Sequence, residues 1–287
     1  MLAWMKGSHP QGVALPALIS VLAFLPGDLL AADEGAAANC RFEGVTEPIA
    51  AGSPVSRVLD GRSFLLADGR EVRLAGIEVP PLAESGTEAD GQAPGHTAQA
   101  ALERLLDGAH LSLRLLRPET DRYGRLLAHV LLERSGAHSW AQRDLVAQGH
   151  ARVAIRHGAG CGKELLAAER SAREAGLGLW ADARFGPRPA EKADEILAER
   201  GRFALVEGKV LSVRESGGTV YLNFDRRWFR GFAATVLKRN ERLFAAAGME
   251  LKKLEGRRVR IRGWVEERGG PRIEALGPEQ IEITERN

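Results

Sequence analysis

Residues 58–81 read VLDGRSFLLADGREVRLAGIEVPP. Asp60-Gly61 is a tight-turn signal, and apolar residues alternate with polar ones on either side of it. That pattern predicts half-buried strands joined by a hairpin. Arg62 follows the turn directly, Arg73 lies on the next alternating run, and Glu78 comes shortly before two prolines. Taken singly, these charges read as a rim salt bridge or solvated strand and loop ends before they read as the wall of an anion site.

Outward from this stretch, VTEPIAAG, VSRVL, SFLLA and EVRLAGI between residues 45 and 77 read as short strands of a meander. A helical pattern with Ala98, Ala101, Leu102 and Leu105 on one face ends at Gly108. AHLSLRLLR and GRLLAHVLLE return to strand character. SWAQRDLVAQG (139–149) predicts a helix capped by Ser139, and 162–180 a longer helix stopped at Gly176. Residues 185–201, rich in Pro and charge, read as a linker with a short helix. Beyond them come a hairpin around Gly217-Gly218, a third strand, a helix stopped by Gly248 and a hairpin around Gly269-Gly270. The fold class is therefore mainly β with α: a five-stranded OB-type barrel with packed helices over 45–184, then a second OB-like barrel over 202–285.

With 44% hydrophobic and 27% charged residues, the chain is a folded protein rather than a disordered one. Its net charge of +2 is unevenly spread. Residues 200–287 hold 19 Lys and Arg against 12 Asp and Glu, a surplus of seven, which predicts an anionic partner, nucleic acid first. Tyr221, Phe224, Trp228, Phe229 and Trp264 lie among Arg226, Arg227, Arg230, Arg260 and Arg262. Aromatics interleaved with arginines suit base stacking and phosphate tracking on single strands, with Trp228 as the candidate contact; alternate aromatics also suit a barrel core. Residues 1–32 read as a signal peptide, with Lys6, the apolar run VALPALISVLAFL and small residues at 29–32, so the mature chain is expected outside the cytoplasm, periplasmic or secreted. Pro16, Pro26 and the shortness of that run argue against a membrane-spanning helix. Cys40 and Cys161 are then expected to form one disulfide, and no Cys/His spacing suits zinc.

Residues 55–180 resemble the thermonuclease, or staphylococcal-nuclease-like, family. VLDGRSFLL, VRLAGIEVPP, DRYGRLLAHV, DLVAQGHARV and GLGLW carry the resemblance, in register. It implies an OB barrel that cleaves DNA or RNA phosphodiesters with calcium. Two Asp carboxylates and a backbone carbonyl hold the ion, a Glu activates water, and two Arg stabilise the charge of the in-line transition state. By that correspondence Arg73 and Arg125 are the catalytic arginines, and Arg122 and Tyr123 contact a neighbouring phosphate. Glu78 stands for one metal carboxylate and Val79 for the carbonyl donor. Arg62 replaces the other metal Asp, Pro81 replaces the water-activating Glu, and Ile155 and His157 stand where base-stacking tyrosines are expected. Glu84 is a candidate replacement base. With carboxylates missing, calcium is held weakly or not at all, and Arg62 is expected to pair with Glu78 as an internal cation in a substrate-binding pocket. Three readings stay open: a phosphodiesterase, a non-catalytic nucleic-acid-binding protein with an arginine phosphate pocket, and an envelope protein-interaction module.

Overall fold

The computed structural model describes residues 49–82, 93–155, 161–227 and 230–284. The expected signal peptide, Cys40, Glu84, His157 and Trp228 lie outside the described residues. Cys161 itself is disulfide-bonded.

The first half contains β1 (Ile49–Ala50), β2 (Val55–Asp60), β3 (Ser63–Leu66), β4 (Glu71–Leu74), β5 (Ile77–Glu78), α1 (Pro94–Leu106), β6 (His110–Thr120), β7 (Leu126–Arg134), β8 (Ala137–Trp140), α2 (Ala141–Ala147), β9 (Arg152–Val153) and α3 (Gly162–Glu174). The sheet runs β1-β6-β7-β4-β3-β2. β4 and β7 pair in parallel and the other neighbours are antiparallel. Only residues 51–54 separate β1 from β2, so the chain joins the two ends of the path, as an OB-type barrel requires. Phe64, Leu66, Val72, Leu102, Leu113, Val130 and Leu145 fill the core. Gln142 ties α2 to the barrel: its amide donates to the Ala128 carbonyl at 2.8 Å and its oxygen accepts from the Val130 N–H at 3.1 Å.

Ser139 does not cap α2. It lies in β8, whose ladder to β7 runs through Leu131 and Trp140 and keeps the backbone extended up to the first helical residue. Gly149 is required where the turn after α2 meets the turn after α3: a Cβ there would collide with the Leu177 carbonyl, and one on Gly178 with the Gly149 carbonyl.

The second half contains β10 (Arg188–Pro189), α4 (Ala193–Leu197), β11 (Phe203–Lys209), β12 (Ser212–Ser216), β13 (Thr219–Asn223), β14 (Ala233–Leu237), α5 (Glu241–Ala246), β15 (Arg258–Glu267), β16 (Pro271–Glu274) and β17 (Ile281–Ile283). Its sheet runs β10-β11-β15-β16-β14-β13-β12, with β14 and β16 parallel. Inside the edge strand β10, β11 passes into β12 through Val210 and Leu211, so the chain joins the ends of the remaining path β11-β15-β16-β14-β13-β12, the OB order. The segment at 185–201 is packed: β10 pairs in parallel with β11, and Ile196 is fully buried in the second core. No described helix is long and apolar enough to cross a membrane.

The barrels are joined by a buried ion network. The side chains of Arg262 on β15 and Glu169 on α3 are both fully buried and lie 2.7 Å apart. Arg262 also donates to the Val153 carbonyl at 3.1 Å, and Glu169 accepts from the Val153 N–H at 2.7 Å. Glu282 on β17 gathers Arg260 (3.1 Å), Arg173 (3.3 Å) and Arg262 (3.4 Å). Burial alone would raise the Glu282 carboxyl, but Arg260, Arg173 and Arg262 outweigh it and hold the group below its ordinary 4.5. Beside the network, Phe203, Leu205 and Ala154 form a small apolar cluster flanked by Trp180 and Trp264.

Removing one member of such a pair strands a buried charge, so Arg262→Met should cost about 3–5 kcal/mol in urea unfolding. Combining it with Glu169→Gln, which keeps an acceptor for Val153, should cost less than the two singles added, by roughly 0.5–3 kcal/mol; strict additivity would show that the pair is not coupled. The lowered Glu282 carboxyl contributes stability that is complete above its ordinary 4.5 and is lost as pH falls through the lower folded value. Glu282→Gln should therefore flatten the acid limb of a stability–pH profile, and an unchanged limb would place the acid lability elsewhere.

Candidate nucleic-acid interface

The turn after β2 places Arg62. Asp60 Oδ1 accepts the Arg62 N–H at 2.8 Å, and the Arg62 carbonyl accepts from the Leu74 N–H at 2.8 Å. Gly61 sits so close to α1 that an added Cβ would come within 2.5 Å of the Ala98 methyl. The backbone is thus pinned on three sides, and the Arg62 guanidinium is ion-paired with Glu78, as the sequence led us to expect. Both side chains are largely buried, at 17% and 14% exposure. Glu78 is held in turn by β5, where it pairs in register with Arg152 on β9.

Arg73 lies on β4 opposite Ser63. Among the described residues it has no ion-pair or hydrogen-bond partner. Burial first, then the neighbouring positive charges of Arg62 and Arg125, pull its guanidinium below the ordinary value, while Glu78 and Asp60 partly compensate. Such a group is poised to take an anion.

Asp121-Arg122-Tyr123-Gly124-Arg125 is a turn built on Asp121. Its Oδ1 accepts from the backbone N–H of Tyr123 (2.8 Å) and of Arg125 (3.1 Å), and Gly124 takes φ +79°. Oδ2 takes two bonds from the Arg125 guanidinium, at 2.8 Å from Nε and 2.6 Å from Nη2. Glu71 lies 3.8 Å from Arg125 Nη1. Burial would raise Asp121, but these bonds prevail and lower it. Tyr123 is 66% exposed, with Arg122 and Arg125 each about 5 Å from its ring centre, at 4.8 and 5.0 Å. Arg62 and Arg125 are thus both engaged by carboxylates, and Arg73 remains.

The basic surplus beyond residue 200 is also partly internal. Arg260 and Arg262 belong to the ion network and so do not track phosphates, whereas Phe224 lies in the second core, as the core reading of the alternate aromatics has it. Ile155 is likewise buried in the first core. The sequence reading missed Arg152, whose environment depends on β9, a two-residue strand too short to show periodicity.

Residues 71–182 match the family described as Staphylococcal nuclease homologue. The chain carries a domain of that family. No curated protein matches the chain. The matched span of the nuclease-homologue domain holds Arg73, Glu78, Arg122, Tyr123 and Arg125; Asp60 and Arg62 precede it and the second barrel follows it.

Calcium, which the family resemblance implies, takes six to eight oxygen ligands, several of them charged. The described residues do not fit it: no three acidic, His or Cys side chains converge among them, and a Glu78 oxygen is spent on Arg62. Arg62→Asp would add a carboxylate beside Asp60 and release Glu78. Isothermal titration should then show saturable calcium binding in the variant and none in the parent chain. A silent variant would show that Arg62 is not what excludes the ion.

Proposed function

We propose that the chain binds nucleic acid through a metal-independent arginine pocket at the mouth of the first barrel, with phosphodiester cleavage slow or absent. The observation that carries this reading is the Arg62–Glu78 ion pair, which sets a permanent cation where the resemblance calls for a calcium carboxylate. Arg73, half-buried and without a counter-ion among the described residues, is the phosphate-gripping group. Arg125 Nη1, exposed Arg122 and the open face of Tyr123 extend the surface toward a neighbouring phosphate. Pro81 stands at the water-activating position, and loss of a general base removes a typical ~100- to 10,000-fold factor in rate. The nuclease-homologue match supports the partner class. We also infer export, supported by the signal-like pattern of residues 1–32 and the disulfide at Cys161, since such bonds persist in oxidising compartments.

A labelled oligonucleotide should bind with the same affinity in calcium and in chelator, and more weakly as salt rises, because counterion release drives such binding. Arg73→Met should weaken binding by about 1.5–3 kcal/mol, the worth of a hydrogen bond to a charged group. Robust calcium-dependent cleavage of DNA or RNA by the unmodified protein would overturn the metal-independent pocket and leave the hydrolase. No binding at low salt would favour a protein-contacting role instead.

A further inference from the structure

A cleft of about 810 Å³ opens between the barrels. It starts at Arg62 and Glu78 and is continued by side chains from β9, from residues 184–188 and from the second barrel. Its arginines are not equivalent. Arg62 is paired with Glu78, Arg184 with Asp182 (2.7 Å), Arg188 with Glu199 (3.2 Å) and Arg202 with Glu199 (3.8 Å). Arg152 has no carboxylate within ion-pair distance and no hydrogen bond among the described residues, and its Nε is buried without a partner. Its guanidinium lies 5.1 Å from the ring centre of Phe203 and 5.7 Å from that of Phe185. Trp264, edge-on to Phe203 at 5.1 Å, lines the same cleft.

A buried guanidinium without a contacting counter-ion costs folding free energy, which the more distant charges of Glu78, Glu169 and Glu199 and the two rings offset only in part. Its lowered pKa, caused first by burial, agrees with this. The fold holds the group in place through the neighbouring Val153, whose backbone is fixed on both sides by Glu169 and Arg262. A cation held unpaired between aromatic rings, with an indole on the same wall, suits one phosphate and one base of an unpaired strand. A duplex buries its base faces and offers the indole nothing to stack on.

We propose that this cleft is a second nucleic-acid site, taking a nucleotide unit of a single strand with its phosphate on Arg152 and its base on Trp264. It rests on the nucleic-acid function proposed above but uses different residues. The cleft begins at the Arg62–Glu78 pair, so one strand lying at the barrel mouth runs on into it.

The test uses the full chain and fluorescence anisotropy of a labelled oligothymidylate of about ten nucleotides, within the range one OB fold covers. Arg152→Met should weaken binding by about 5- to 100-fold, Trp264→Phe by less, and Arg152→Lys should restore part of the loss. In the absence of ligand, Arg152→Met should melt no lower than the parent, because it removes a buried charge that is only partly compensated. Unchanged affinity in Arg152→Met would overturn the proposal, and so would a lowered melting temperature, which would mark Arg152 as a structural cation. An abasic deoxyribose-phosphate oligomer should bind more weakly than the oligothymidylate in an Arg152-dependent way. Equal binding of the two, or equal Arg152-dependent stabilisation by inorganic phosphate alone, would reject the strand in favour of a simple anion. Loss in Arg73→Met with none in Arg152→Met sinks only this site; no binding by the parent chain sinks both.

Discussion

The Arg262–Glu169 pair sets the geometry on which the rest depends. Both charges are taken fully out of water, and burial of this kind seldom stabilises more than well-packed apolar side chains would. What the pair does add is register. Arg262 holds the Val153 carbonyl and Glu169 the Val153 N–H, so two residues from different barrels grip one peptide segment. Val153 fixes β9, β9 pairs with β5, and that ladder sets Arg152 opposite Glu78. Glu78 then receives Arg62. The barrel mouth is therefore positioned from behind by the second barrel, and a fault at Arg262 is expected to reach Arg62 through Val153, the β5–β9 ladder and Glu78.

Charge in this molecule is sorted more than it is accumulated. Arg258, Arg260 and Arg262 from one strand are consumed by Glu207, Glu169 and Glu282, and Lys238 by Glu215 and Glu241. Pairing of this sort leaves little field for a distant anion, because each cation is neutralised within its own contact distance. Arg73 and Arg152 differ in kind. Each is shielded from bulk water, neither has a counter-ion among the described residues, and each lies close to the Arg62–Glu78 pair, Arg73 by its interaction with both charges and Arg152 across the β5–β9 ladder. A local site of that sort depends on where its two arginines stand, not on the net charge of the chain.

The barrel strands were legible because period-two alternation and Gly-containing turns mark them one by one: 55–60, 63–66, 71–74, 258–267 and 271–274 all fall where the pattern put them. The pairing of Arg62 with Glu78 was legible too, since the turn and the β5 position lie within one short stretch. What the pattern hid was long-range. β9 has two residues and acquires its strand character only from β5. Arg262 alternates with Arg260 as a surface residue would, and only the approach of α3 makes it internal. The 188–197 segment reads as a linker by composition, yet Ala190 and Ile196 are buried against the second barrel. In each case the deciding contact comes from a part of the chain that no local window contains.

By the family resemblance Arg62 stands in place of a metal carboxylate, and that exchange changes which chemistry the pocket would support. A guanidinium matches the charge and the fork geometry that a phosphate asks for, and it holds that charge at any physiological pH. Fixed cations of this kind stabilise a developing negative charge as well as a bound one. A divalent ion does something further: it lowers the pKa of a bound water and so supplies the nucleophile. Arg62 cannot bind water as a Lewis acid, and Pro81, which the family resemblance sets at the water-activating position, has no side-chain acceptor. The proposed function thereby separates the two halves of hydrolysis, charge stabilisation and water activation, at one site. Under the proposed function the first is left chiefly to Arg73, since Arg62 is spent on Glu78, and a bound phosphodiester would be held without the attacking group.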